Sequence, residues 1–138
     1  MKKGEIMKKL FLTMMLAVST MIAWAQGNNN DAFLTIGPDD FQHSLENNSS
    51  EHVLVDVRTQ AEYDEAHLKG AILIDVKDAN FKENALKLLA KDKTIMVYCR
   101  SGRRSAQAAN ILTAEGYQVI NLKGGIMAWT VAGKETVK

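Results

Sequence analysis

Cys99 is the single cysteine of the chain, and it opens the run Cys99-Arg100-Ser101-Gly102-Arg103-Arg104-Ser105 directly after the apolar segment Thr94-Ile95-Met96-Val97-Tyr98. A thiol at the end of a buried strand, with three guanidinium groups among the next five residues, is placed to act as an anionic nucleophile. Positive charge favours thiolate over thiol, and successive backbone N–H groups in such a loop form a nest for an anion. The competing reading is a small buried hydrophobe. Context decides against it, because a core cysteine gains nothing from three neighbouring arginines, which are rarely buried without partners. The chemistry indicated is nucleophilic attack on an anionic substrate.

The elements that must position this loop alternate between short apolar runs and helical patterns. Phe33 to Ile36 reads as a short edge strand, and Pro38 stands at a first helical position with Asp39 and Asp40 in the first turn and Phe41 and Leu45 on one face. Val53-Leu54-Val55 is a buried strand leading to Asp56-Val57-Arg58, and Thr59-Gln60-Ala61-Glu62 has the spacing of a capping box. Ala71 to Ile74 is a third strand. Phe81, Ala85, Leu88 and Leu89 recur at helical spacing as a core-facing stripe. After the fourth strand, Thr94 to Tyr98, a helix covers Ala106 to Glu115 and stops at Gly116; its small residues Ala108 and Ala109 permit close approach to a sheet. Val119-Ile120 is the last strand, and Gly124-Gly125 precedes a short helix holding Trp129 as a core anchor.

This alternation predicts a three-layer α/β domain with a central, mostly parallel sheet buried on both faces. Ligands of open α/β sheets bind beyond the carboxyl ends of the strands, and Cys99 lies at one such end. A helix beginning near Arg104 or Ser105 aims its positive N-terminus at the loop and adds to anion affinity.

The composition excludes several other classes. His43, His52 and His67 lie in unrelated segments with no zinc spacing, so neither a metal nor another cofactor is expected. Outside the Cys99 loop the basic residues are not massed on one segment, which gives no footprint for nucleic acid. A single cysteine cannot form an internal disulfide. Asp56 and Arg58 read as a structural ion pair, and His67 as a satisfied structural histidine.

The first 25 residues carry the three marks of a secretory signal peptide: the basic starts Met1-Lys2-Lys3 and Met7-Lys8-Lys9, the apolar stretch Leu10 to Ala23, and Ala23-Trp24-Ala25 before Gln26. Met7 serves as initiator equally well. The fourteen residues of the stretch fall short of the roughly 20 that a spanning helix needs. Cleavage leaves residues 26–138 as one domain of a size too small for two. It also removes Lys2, Lys3, Lys8, Lys9 and Glu5, leaving thirteen basic and fifteen acidic side chains and a net charge of −2. Asn28 to Asp31 is a polar leader. A periplasmic or otherwise exported protein, free of the membrane after cleavage, is expected to work in an oxidising compartment. A thiol kept free there suggests use.

Four segments in order carry a family resemblance: Asp56-Val57-Arg58 with Glu62-Tyr63; His67-Leu68-Lys69-Gly70-Ala71; Val97-Tyr98-Cys99-Arg100-Ser101-Gly102-Arg103-Arg104-Ser105; and Leu122-Lys123-Gly124-Gly125-Ile126-Met127-Ala128-Trp129. Together they resemble a single rhodanese domain of the small exported sulfurtransferase type. The resemblance implies sulfur transfer by a ping-pong route: the Cys99 thiolate takes the sulfane sulfur of thiosulfate or another small anionic donor, releases sulfite, and passes the sulfur from a persulfide to cyanide or a thiol. A persulfide-carrying protein is a further expected partner. The N–H groups from Arg100 to Ser105 would surround the sulfur, and Arg100, Arg103 and Arg104 are candidates for the sulfonate end, each with the alternative of pairing with an acidic side chain.

Two other function classes stand beside this one. Related phosphatases and arsenate reductases place an arginine six positions after the cysteine, where this chain has Ser105, with Arg104 at five. A non-catalytic binding or redox-sensing module is the other, although modules that have lost activity typically lack the cysteine. For export, N-terminal sequencing of the secreted protein is expected to read from Gln26; recovery of the full-length chain in the membrane fraction would contradict cleavage.

Overall fold

The computed structural model describes residues 32–138; the segment read as a signal peptide, the cleavage site expected for it and the Asn28–Asp31 leader lie outside the described residues. Five strands form one sheet: β1 (Leu34–Ile36), β2 (His52–Asp56), β3 (Ile72–Leu73), β4 (Thr94–Tyr98) and β5 (Gln118–Leu122). Every strand pair is parallel, in the order β1-β5-β4-β2-β3. The helices are α1 (Pro38–Asn47), α2 (Gln60–Glu65), α3 (Phe81–Leu88), α4 (Arg103–Ala114) and α5 (Gly125–Val131).

Because successive strand residues point to opposite faces, β4 supplies two cores at once. Ile95, Val97 and Cys99 join Phe81 and Ala85 of α3 and Ala108, Ala109 and Leu112 of α4. Met96 and Tyr98 join Phe41 of α1 and Ile126 and Trp129 of α5 on the other face. The three-layer expectation is met, with β4 central. The helix after β2 lies on the second face and the helix after β4 on the first, so the two connections part at the carboxyl ends of these neighbouring strands. That divergence opens a crevice in an α/β sheet. Arg58 and Cys99 both stand there.

Local sequence accounts for the helix starts. Pro38 takes the first position of α1, and Thr59 and Glu62 form the reciprocal capping box of α2. Two expectations need correction. Leu88 is exposed and not part of the core stripe: α3 ends there, Leu89 turns to an extended conformation and fills the core in its place, so the stripe runs Phe81, Ala85, Leu89. And α4 begins at Arg103, because Gly102 adopts a left-handed conformation (φ 100°) that turns the chain directly into the helix.

A buried polar network ties the ends of β2 and β4 together. Asp56 and Tyr98 are register partners, and the Tyr98 hydroxyl donates to Asp56 Oδ2 at 2.8 Å while accepting the N–H of Leu68 at 3.0 Å. The Arg58 guanidinium donates to both Asp56 oxygens, and its Nη2 also reaches the Ala66 carbonyl at 2.6 Å. Asp56 is fully buried, so each acceptor position filled here avoids a desolvation cost. Burial, followed by the Asp56 charge, pushes the Tyr98 hydroxyl well above its ordinary range and keeps it a donor. The ion-pair reading of Asp56 and Arg58 therefore holds. His67 also behaves as read: its Nδ1 bonds the Tyr63 carbonyl at 2.8 Å and its ring stacks on Tyr63.

At Gly125 a Cβ would collide with backbone, lying 2.4 Å from the Arg100 oxygen and 2.5 Å from the Cys99 oxygen. Gly125 also has φ 61°. Gly125→Ala is expected to cost about 2 kcal/mol or more, from left-handed strain and displacement of the Cys99 loop. Gly37, the open N-cap of α1, has nothing near its Cβ position. Gly37→Ser is expected to add a few tenths of a kcal/mol by capping that helix. Urea unfolding of both variants checks the opposite signs.

Candidate active site

The loop from Cys99 to Gly102 is short because its two ends are fixed by regular structure, β4 before it and α4 after it. The positive φ of Gly102 reverses the chain, so that its own N–H points back to Cys99 Sγ at 3.0 Å. One turn further, the fully buried Ser105 hydroxyl donates to the same sulfur at 3.3 Å. A Cβ at Gly102 would make only ordinary contact with the backbone of Gly124 and Leu122, so it is the positive φ that favours glycine there. Cys99 itself is only 1% exposed.

Burial pushes the Cys99 thiol up, but hydrogen bonding outweighs it: the Ser105 hydroxyl and the N–H groups of Ser105, Gly102 and Ser101 hold the thiol below its ordinary range. The expected direction is met. Loop arginines, the amide nest and the helix N-terminus are expected to act together, and the leading contributions come from the neutral donors, the Ser105 hydroxyl and the backbone N–H groups. Positive charge enters through Arg104, which is itself favoured by the Cys99 charge.

The three arginines have different surroundings. The Arg104 fork is bidentate to Glu62, with Nη1 to Oε1 at 2.7 Å and Nη2 to Oε2 at 2.8 Å, which is the ion-pair alternative for this residue. Glu62, also bonded by Thr59 Oγ1, is held by the Arg104 pair at a pKa of about 2. Arg100 and Arg103 are exposed, and Arg100 Nε rests against Met127 Sδ at 3.4 Å. Ser101 is exposed at the loop tip. All seven residues from Cys99 to Ser105 thus occupy one loop and the first turn of α4. Asp56 and Arg58 stand on the adjacent strand end, and His67 is engaged with Tyr63 and the antiparallel bridge to Val137.

Sequence reasoning missed three parts of the site. Glu62 was visible as a capping residue and as part of the first family segment; its spacing gave no sign that its carboxylate reaches α4. Ile126 and Met127 donate their N–H groups to the carbonyls of Cys99 and Arg100 at 2.9 and 3.1 Å, and the signal for this was the Gly124-Gly125 pair just before them. A cleft of about 590 Å³ adjoins the loop, lined by residues including Arg58, Glu65, Arg100, Met127 and Val131. Among the described residues no group of three or more His, Cys, Asp or Glu side chains is arranged to hold a metal ion.

Comparison with known proteins agrees with this arrangement. The Rhodanese-like domain family model matches residues 38–132, from the start of α1 to just past α5. The thiosulfate sulfurtransferase PspE of Escherichia coli is 38% identical over 72 residues, covering 52% of this chain and 68% of that protein. A probable molybdopterin-synthase adenylyltransferase of Porphyra purpurea is 34% identical over 110 residues, 79% of this chain, and the chain spans 28% of that protein's length. Among solved structures, a rhodanese-related protein from Thermoplasma volcanium superposes with a TM-score of 0.67 at 27% identity, covering 76% of this chain and 98% of that one. With its Cys99 loop, its parallel sheet and a family match spanning residues 38–132, the chain belongs to the rhodanese-like domain family.

Proposed function

We propose that this chain is a sulfurtransferase that carries a sulfane sulfur on Cys99, with thiosulfate as donor. The observation that carries the reading is the convergence of the Gly102 N–H and the Ser105 hydroxyl on Cys99 Sγ, in a loop that has Arg104 five positions after the cysteine and Ser105 rather than an arginine at six. Family membership and sulfurtransferase relatives support the class of reaction. Export of the mature domain, residues 26–138, is part of the same proposal and rests on the sequence of the first 25 residues.

In the first half-reaction the Cys99 thiolate attacks the outer sulfur of thiosulfate. The S–S bond of the donor breaks, its electron pair leaves with sulfite, and a Cys99 persulfide remains. In the second, an acceptor thiolate or cyanide attacks the terminal sulfur and the electron pair returns to Cys99 Sγ. Donors that stabilise sulfur anions at this position lower both barriers, which is the oxyanion-hole principle applied to sulfur. Arg100 and Arg103, exposed on the loop, recruit the anionic donor, while Arg104 acts through Glu62 to hold the first turn of α4.

Phosphate or arsenate chemistry fits less well. A tetrahedral anion bound against the thiolate needs a wider ring of N–H groups and an arginine at the position that Ser105 occupies. A purely binding module has no need of a thiol held in its reactive form.

Purified wild-type domain is expected to turn over thiosulfate with cyanide and to leave aryl phosphates intact, and Cys99→Ser is expected to lose sulfur transfer while remaining folded. Phosphatase turnover comparable to sulfur transfer, or near-normal activity in Cys99→Ser, would overturn the assignment. The pH dependence of iodoacetamide alkylation is expected to give a midpoint below the roughly 8.5 of a free thiol. Ser105→Ala, lacking one donor to the thiolate, is expected to raise that midpoint.

A further inference from the structure

Building on the sulfurtransferase reading, we propose that Met127 is an oxidative modification site whose sulfoxide engages the Arg100 guanidinium and weakens uptake of the anionic sulfur donor. Oxidation of a thioether requires that the oxidant reach its sulfur. The described residues contain two methionines, and they differ sharply in this respect: Met96 is fully buried in the core, whereas Met127 is 50% exposed on α5. Met127 also lines the cleft beside the Cys99 loop, so a small oxidant that approaches the loop meets this sulfur.

The position of Met127 ties it to one loop residue. Its Sδ receives Arg100 Nε at 3.4 Å, and its backbone N–H donates to the Arg100 carbonyl at 3.1 Å. The two residues are joined through both backbone and side chain, so a change in the chemistry of the sulfur is felt at Arg100.

In the reduced state the side-chain contact is weak, because a thioether is a poor acceptor. Arg100 is exposed and has no ion-pair partner among the described residues, which leaves its guanidinium ready for an incoming anion. A sulfoxide oxygen carries partial negative charge and accepts strongly from a guanidinium; charge-assisted bonds of this kind are about twice as strong as neutral ones. The rotatable bonds of the methionine side chain let the oxygen turn onto the fork. Donors engaged in this way are withdrawn from a sulfonate. Two other guanidinium groups near the loop cannot take over, since Arg104 is held by Glu62 and Arg58 by Asp56. Arg103 stays exposed, so donor capture is weakened and not abolished.

The step is balanced with hydrogen peroxide as oxidant. A lone pair of Sδ attacks one peroxide oxygen, an S–O bond forms, and the O–O bond breaks with its electron pair on the second oxygen, which takes up the proton and leaves as water. The sulfur is oxidised and the peroxide reduced. Methionine sulfoxide reductases reverse the change.

To separate Met127 from the more reactive thiol, Cys99 of the full chain is blocked as a mixed disulfide with methyl methanethiosulfonate, the protein is exposed to hydrogen peroxide, and dithiothreitol then frees the thiol. Peptide mass analysis is expected to find one added oxygen on the Met127 peptide and none on the Met96 peptide. The KM for thiosulfate is expected to rise about fivefold at unchanged kcat, and sulfoxide reductases to restore it. In Met127→Leu and in Arg100→Gln the same treatment is expected to leave KM at each variant's own starting value. Met127 left unoxidised, a KM unmoved by its oxidation, or an equal rise in either variant would overturn the proposal while leaving sulfur transfer intact. Absence of thiosulfate turnover in the untreated chain would overturn the sulfurtransferase reading and the Arg100 effect with it.

Discussion

The site depends on which way two peptide planes face. In a trans peptide the carbonyl of one residue and the N–H of the next point in opposite directions. The carbonyls of Cys99 and Arg100 are turned outward onto the N–H groups of Ile126 and Met127. The N–H groups of Arg100 and Ser101 are therefore turned the other way, toward the inside of the loop, and Ser101 is among the donors that act on the thiol. Gly125 makes this possible because any side chain there would occupy the space of those carbonyls. The N-terminal donors of α5, which a helix leaves without internal partners, are thus used to orient a catalytic-type loop.

The second support comes from the opposite direction. Glu62, fixed by the capping box of α2, grips Arg104 in the first turn of α4, and α4 supplies Ser105 to the sulfur. Elements from both faces of the sheet therefore meet at one loop, and the Asp56–Arg58–Tyr98 network keeps the strand ends beneath it in register. The arrangement separates two tasks. Neutral donors enclosed with the sulfur favour its anionic form, and exposed guanidinium groups stay available for an incoming anion.

Much of this was legible in the sequence because it is local. Pro38, the Thr59–Glu62 spacing, the apolar strand before Cys99 and the glycines at turns are each read from a few neighbouring residues, and a continuous apolar strand flanked by helices implies a parallel sheet. What escaped was the contact between distant segments. Nothing in the spacing of Glu62 and Arg104 announces that they meet across 42 positions. The share of each agent in stabilising the thiolate escaped for the same reason: the arginines and the N–H groups of the loop are visible in the sequence, whereas the direction of each N–H group depends on where the chain folds back. Leu88 shows the limit of periodicity at a helix end, where one extended residue moves the stripe to Leu89.

The central claim is that this loop holds a sulfur atom on Cys99. Intact mass spectrometry of the domain, taken after brief exposure to thiosulfate under non-reducing conditions, tests it most directly. The account predicts a gain of one sulfur atom per chain, borne on the peptide containing Cys99 and removed by cyanide. An unchanged mass, or a gain that cyanide does not reverse, would contradict it.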